Sequence, residues 1–444
     1  MSKNDSQFIH FQSSVDLNAV LVDRSFTSTW HIRNNGTTTW KLGYHLLNYA
    51  QGLMVRKRIP LFEATGRRQV SPGEELDITL IFRAPKRPGQ YKHVFQMAAD
   101  NGKAFGDQYW VEAVIVAEEE GDDDKGLATS PVKDRLQFGM NISPDAPFSN
   151  PTNVGVLTGL DWVRYPFKVD DKSRSIADSF AEYDPIVKNY ARKGIGTLFV
   201  LNQQTVTGKN APWKGRGDWT EYASQFASAA SEIADHYARL GEKVAFEIWN
   251  EGDNKETPWV SVYIPPKHFA PLLWRTASAI RQVSPESKIV FGGLSTDHKK
   301  SGDYVKQVKR ALGGELPVDA IGIHPYGRWP VKRPFKDWGY GSLSAELAGF
   351  AKQIPDKPLW ITEIGIVGGE KPLPEETQPI VAQFMEDLIK TIAQKHADHV
   401  PVVIWFAWSD NMHNAGIVRA DGTAKKEILD AFIAVRDKKM EGLA

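Results

Sequence analysis

The chain has 444 residues, 54 basic and 54 acidic side chains, no cysteine and 41% hydrophobic content. Zero formal charge removes the basic footprint of a nucleic-acid binder, and the lack of cysteine excludes disulfides, a thiolate nucleophile and Cys-zinc sites. The length predicts more than one domain, one of them large enough for a full core. No run approaches 18 consecutive apolar residues, so no membrane span is expected, and Met1 to Asp5 is polar with no charged-then-apolar signal pattern.

Residues 8–117 read as short strands, among them Phe26–Arg33, Leu76–Phe82, Gly89–Met97 and Tyr109–Val116. They are β-branched or aromatic and roughly alternating. Turn residues separate them: Asn34-Asn35-Gly36, Ser71-Pro72-Gly73, Pro88-Gly89 and Asp100-Asn101-Gly102. This spacing predicts an all-β sandwich over 1–117. The acidic run from Glu118 to Asp124, then Gly126 to Pro131, reads as a solvated linker over 118–133. A calcium loop would need alternating ligands and a distal Glu, which the run lacks. The motifs Phe26 to Trp30, Asn34 to Trp40, Ser71-Pro72-Gly73, Pro88 to Tyr91 and Phe105-Gly106 with Tyr109-Trp110 carry a resemblance to the Ig-like four-tryptophan domain of autophagy cargo receptors and many bacterial proteins. One of its tryptophan positions holds Phe95 here. Its aromatics are expected in the core, with a sugar-stacking surface as the alternative.

From Asp134 the pattern changes. Eight apolar runs read as strands: Leu136–Asn141, Leu160–Tyr165, Thr197–Leu201, Val244–Trp249, Lys288–Gly292, Ala320–His324, Leu359–Glu363 and Val402–Trp408. Amphipathic stretches lie between them, clearest at Tyr222–Leu240, Pro266–Val283, Tyr304–Leu312 and Pro379–Lys395, with a last helix at Thr423–Arg436. Eight strand-then-helix units predict an α/β fold, a (β/α)8 TIM barrel over 134–444.

In such a barrel the active site lies at the C-terminal strand ends. The fourth strand runs out in Trp249-Asn250-Glu251 and the seventh in Thr362-Glu363-Ile364. Two carboxylates therefore share one rim, the equipment that glycosidic bond cleavage needs. At the 5–5.5 Å separation of a retaining pair, two charges repel by roughly 3 kcal/mol at an effective dielectric near 20. One of the two is then expected to keep a proton, and a nearby cation decides which. Arg164, at the end of the second strand, is the candidate cation. Asn250 is a donor for a sugar 2-hydroxyl. His324 is a candidate contact for a substrate hydroxyl, and Tyr326 a donor to the seventh-strand carboxylate. Asn141, Asn202 and Gln203 are weaker candidates, with loop hydrogen bonds as the alternative.

The pair Asn250-Glu251 and the strand-end Glu363 resemble clan A glycoside hydrolases, the retaining barrels that include families 5 and 39, over residues 134–436. The resemblance implies Glu251 as general acid/base, Glu363 as nucleophile, and Arg164 as the group keeping Glu363 ionised, so that Glu251 holds the proton. It also implies an aromatic floor for the sugar at the end of the eighth strand. Trp408 is the choice there over Trp405, which alternation turns to the opposite face. Trp213, Trp219, Trp259, Tyr263, Trp329, Trp338 and Tyr340 on rim loops fit a cleft with several subsites, hence endo action on a polysaccharide or oligosaccharide.

No cofactor or metal is expected: His396 and His399 lie near a helix end away from the rim, and no Gly-x-Ser-x-Gly elbow is present. The expected protein is a monomeric retaining β-glycoside hydrolase, secreted or periplasmic, with the cytoplasm as the alternative. The rival from another class, a non-catalytic carbohydrate-binding barrel, would normally have lost one carboxylate.

Overall fold

A computed structural model describes residues 3–440, except 14–16, 23–24, 42, 50–57, 62–64, 66–68, 86, 117–135, 152, 170–174, 207–210, 256–261, 336–338 and 340. The linker read at 118–133 and the rim aromatics Trp259, Trp338 and Tyr340 lie outside the described residues. The chain divides into two compact units, Met1–Lys125 and Gly126–Ala444.

The first unit holds β1 (Ser6–Ser13), β2 (Val20–Leu21), β3 (Ser25–Asn34), β4 (His45–Asn48), β5 (Arg58–Pro60), β6 (Glu75–Arg83), β7 (Gly89–Ala98) and β8 (Ala104–Val116). They form a three-stranded sheet, β1-β3-β6, and a five-stranded sheet, β2-β8-β7-β4-β5. β6 shows the cause: Leu76, Ile78, Leu80 and Phe82 are buried, while Asp77 and Thr79 between them are exposed. Both sheets turn their apolar faces onto one core, in which Trp30 packs against Phe82 and Phe95 at ring distances of 6.1 and 5.5 Å. Trp40 is buried in the same core, and its ring lies 5.8 Å from Phe105. Trp110 departs from the expected core position: alternation along β8 buries Tyr109 and leaves Trp110 exposed.

The second unit holds β9 (Gln137–Asn141), β10 (Trp162–Pro166), β11 (Gly196–Leu201), β12 (Val244–Asn250), β13 (Lys288–Leu294), β14 (Ala320–Ile323), β15 (Arg328–Trp329), β16 (Gly341–Ser342), β17 (Leu359–Ile364) and β18 (Val402–Trp405). Eight of these close into a barrel in the order β9-β10-β11-β12-β13-β14-β17-β18, every neighbour parallel. β15 and β16 pair outside it. The helices are α1 (Ile176–Ala191), α2 (Trp219–Tyr237), α3 (Pro266–Val283), α4 (His298–Ala311), α5 (Leu343–Gln353), α6 (Gln378–Lys395) and α7 (Lys426–Met440). Among the described residues no helix is long and apolar enough to cross a membrane.

Polar caps account for two helix starts that come earlier than expected. α2 begins before Tyr222 because Asp218 accepts the Thr220 and Glu221 amides at 2.7 and 3.0 Å. α4 begins before Tyr304 because Asp297 does the same for Lys299 and Lys300. The first strand is followed, among the described residues, by a short 3-10 turn at Val154–Leu157 rather than an α-helix.

The barrel interior is layered. Trp162, Leu198, Ala245, Val290, Ala320, Trp360 and Val402 form an apolar layer, with the Trp162 and Trp360 rings 5.6 Å apart. Two residues further along their strands, on the same face, stand Arg164, Glu247 and Thr362. A polar layer thus rests on a dry one, directly below the C-terminal rim.

Trp30→Ala is expected to cost the sandwich about 3–5 kcal/mol. Hydrogen exchange should show the loss as faster exchange in β3 and β6, with the barrel strands unchanged.

Candidate active site

Arg164 organises the polar layer. The residue is buried, and its Nε and Nη2 donate to Glu247 at 2.8 and 3.0 Å. Nη1 donates to Asn141 Oδ1 at 2.9 Å and to Glu363 Oε1 at 2.5 Å, and Nη2 also reaches Asn250 Oδ1 at 2.8 Å. Burial works against its charge, but the flanking carboxylates of Glu247 and Glu363 outweigh that and raise its pKa. Glu363 is also buried in a way that favours its neutral form, yet His324 and Arg164 hold its pKa below the ordinary value. The Tyr326 hydroxyl donates to Glu363 Oε2 at 2.9 Å. Burial, with the Glu363 carboxylate beside it, pushes the Tyr326 pKa well up, so the phenol stays a donor.

Glu251 and Asn250 reach the site through an interrupted strand. Simple alternation from the inward Glu247 would turn Trp249 inward and Asn250 outward. Instead Trp249 takes a left-handed backbone, φ 76, and Glu251 another, φ 51. Such conformations cost about 1–3 kcal/mol each in non-glycine residues. Packing holds them: the Trp249 ring lies 5.7 Å from Phe226 of α2 and 5.9 Å from Trp213, and its indole N–H donates to Val262 O at 2.8 Å. Asn250 then faces Arg164, which donates to its Oδ1. The Glu251 amide donates to Gly293 O at 2.8 Å, which anchors the rim.

His324 stands between the carboxylates. Its Nδ1 is 2.9 Å from Glu251 Oε1 and 3.7 Å from Glu363 Oε2, and its Nε2 is 3.0 Å from Thr362 Oγ1. Burial lowers its pKa, but Glu363 and Glu251 raise it more, so the net shift is upward. The ring lies on Gly293, where a Cβ would stand 2.0 Å from His324 Nε2. The His324 side chain, expected as a substrate contact, is buried, and both of its nitrogens have partners within the protein.

Trp408, expected as the aromatic floor, lies past the end of its strand. β18 ends at Trp405, so alternation does not carry on to residue 408. Trp405 points to the helix layer at Phe384, 6.1 Å away, and the Trp408 ring lies edge-on to Phe432 of α7 at 6.4 Å. The aromatic beside Tyr326 is Phe406, at 6.2 Å. Among the rim aromatics, Trp329 is buried against Phe384, Trp213 packs on Trp249, Trp219 stacks on His268, and Lys255 lies over Tyr263. Asn141 serves Arg164 and donates to the Thr362 and Trp405 carbonyls, while Asn202 caps its own turn through the Gln204 amide. Gln203 follows it, half-buried, with its Oε1 inside the protein. Glu247 and Thr362 were not anticipated; a lone carboxylate inside the apolar run Val244 to Trp249 was the available signal.

One oxygen each of Glu251 and Glu363 and one His324 nitrogen lie within 4.8 Å of one another. Within this set Glu363 also faces the Arg164 guanidinium, and His324 Nδ1 lies against Glu251. A family model described as Cellulase (glycosyl hydrolase family 5) matches residues 157–411. The chain belongs to this family. It is a glycoside hydrolase. A second model, the Ig-like domain from next to BRCA1 gene, matches residues 14–115.

Among solved structures, this glycoside hydrolase is similar to a family 39 glycoside hydrolase from Bacteroides cellulosilyticus WH2, with a TM-score of 0.51 and 16% identity over 96% of this chain and 83% of that one. It also resembles a glucosidase from Croceicoccus marinus, with a TM-score of 0.51 and 16% identity over 69% and 68% of the two chains. At these identities the likeness is one of fold. Curated relatives include Protein NBR1 homolog from Arabidopsis thaliana, 28% identical over 35% of this chain and 21% of its own length. Protein ILRUN from Danio rerio is 33% identical over 22% of this chain and 32% of its own. The chain thus spans a third or less of the length of these relatives.

The shifts at His324 and Glu363 set a stability window. His324, raised from 6.5, contributes fully below pH 6.5 and loses its contribution as pH rises through its folded pKa. Glu363, lowered from 4.5, contributes fully above pH 4.5 and loses it as pH falls through its folded pKa. The melting-temperature advantage of the wild type over His324→Gln is therefore expected to be greatest at and below pH 6.5 and to shrink as pH rises.

Proposed function

We propose that the barrel is a retaining β-glycosidase that cuts within a polysaccharide, with Glu363 as nucleophile and Glu251 as acid/base. The observation that carries this reading is the close carboxylate pair in two different settings: Glu363 accepts from Arg164 and Tyr326, while Glu251 lies against the His324 ring. An approach within 4.8 Å fits the retaining spacing and leaves no room for the water that an inverting enzyme seats between its carboxyls.

Glu363 attacks the anomeric carbon as Glu251 gives its proton to the glycosidic oxygen. The C–O bond breaks, the leaving sugar departs as an alcohol, and a glycosyl ester forms on Glu363. Glu251, now a carboxylate, takes a proton from water. That water attacks the same carbon and releases Glu363, with configuration retained. Asn250 Nδ2 holds the 2-hydroxyl, and Phe406 beside Tyr326 supplies an apolar ring at the cleavage site. Phe148, Val331, Phe335 and Val367 are exposed on loops after the first, sixth and seventh barrel strands. Exposed apolar groups around one mouth support binding of a long, largely neutral glycan. A polymer substrate of this kind would fit work outside the cytoplasm, in secreted or periplasmic form.

Glu363→Ala is expected to lower turnover by about 10⁴-fold or more. Azide should restore it, releasing a glycosyl azide of inverted configuration. Glu251→Ala should slow poor leaving groups by about 10²–10⁴-fold and spare activated ones. Wild-type rates in both variants on a defined β-glycan sink the assignment. Tight glycan binding without products from a broad panel would instead make the barrel a binding module.

A further inference from the structure

Glu247 lies in the middle of β12, below the catalytic pair and fully buried. Its neighbours along the strand, Ala245, Phe246 and Ile248, are apolar. A carboxylate in such a place persists only where surrounding donors replace water. Oε2 accepts from Arg164 Nε at 2.8 Å. Oε1 accepts from Arg164 Nη2 at 3.0 Å, the Gly293 amide at 2.7 Å and the Thr362 hydroxyl at 3.3 Å.

The first arm of this cluster runs through Arg164. A guanidinium has five N–H donors in one rigid plane. Glu247 takes Nε and one Nη2 hydrogen, a bidentate grip that fixes the plane. The other three donors then point at Asn141, Asn250 and Glu363. The orientation of the nucleophile and of the 2-hydroxyl donor therefore derives from the grip on the far edge.

The second arm runs through Thr362. Its hydroxyl hydrogen goes to Glu247, so its oxygen accepts from His324 Nε2 at 3.0 Å. That fixes a proton on Nε2 and leaves Nδ1 facing Glu251 at 2.9 Å. One proton then sits in the Nδ1–Glu251 contact: on Nδ1 if the ring is charged, on Glu251 if it is neutral.

We propose that Glu247 is a positioning residue for both catalytic carboxylates: through Arg164 it aims at Glu363 and Asn250, and through Thr362 it fixes the His324 tautomer so that His324 and Glu251 share one proton. The proposal rests on the roles given above to Glu251 and Glu363. The charged or titratable groups facing His324 are Glu247 and Glu251 from β12 and its rim, Glu363 from β17, Arg164 from β10, and Tyr326 on its own loop. Glu247 Oε1 is 4.0 Å from Nε2, close enough to stabilise the imidazolium.

Glu247→Gln removes that charge and turns an amide toward donors. It is expected to lower kcat by about 10²-fold through misaimed Arg164. It should also move the alkaline limb of the kcat/KM pH profile down by about one to three units, because the shared proton is held less tightly. Thr362→Val cuts the second arm alone. Its alkaline limb should move down while its acid limb, set by Glu363 through Arg164, stays. If Glu247→Gln loses activity with both limbs unmoved, or Thr362→Val keeps the wild-type profile, the proposal is overturned. If Glu247→Gln does not fold, the Thr362→Val profile decides. Azide rescue of Glu363→Ala, run beside these, separates the two failures: a rescued nucleophile variant with unmoved limbs leaves the catalytic roles standing and removes Glu247 from them.

Discussion

The site depends on one buried cation. Arg164 sits where a charge is costly to desolvate, and it is tolerable there because all five of its N–H donors meet oxygen acceptors. Those acceptors come from β9, β12 and β17, so the guanidinium ties barrel strands that are far apart in sequence. Removing one partner from such a cluster leaves an uncompensated buried charge, typically a loss of about 3–5 kcal/mol. The same contact that makes the layer stable keeps Glu363 ionised.

Around this cation the site is a cluster of opposed charges. Three carboxyl groups, Glu247, Glu251 and Glu363, face one guanidinium and one imidazole. With one proton shared between the imidazole and Glu251, that pair is neutral and the guanidinium balances one of the two remaining carboxylates, leaving one net negative charge.

Much of this was legible in the residue order, because barrels put function at strand ends. Reading the last residues of β10, β12, the β14 segment and β17 picks out Arg164, Asn250, Glu251, Tyr326 and Glu363 as rim groups, and the structure gathers all five within one hydrogen-bonded network. Three things were not legible. Glu247 and Thr362 lie inside strands, where periodicity marks a face but not whether it looks into the barrel or into the helices. The Trp249 turn breaks the alternation on which any such assignment rests. β18 stops early, which handed the position beside Tyr326 to Phe406 rather than to Trp408. The sandwich was easier, since β6 keeps a clean two-residue period with every second side chain in the core. Helix starts were missed where polar first turns, capped by Asp218 and Asp297, carry no apolar signal.

Gly293 carries a consequence for how this site can vary. Its amide serves Glu247, its carbonyl holds the Glu251 amide, and the His324 ring fills the space its side chain would occupy. Positions 293 and 324 therefore form one unit of change. A larger residue at 293 is admissible only alongside a smaller one at 324, and shrinking 324 alone opens a void against Glu251. A lineage drifting from this arrangement must cross an intermediate that either clashes or loses the proton partner of Glu251, so the two positions are expected to be locked together by epistasis rather than by the worth of either alone.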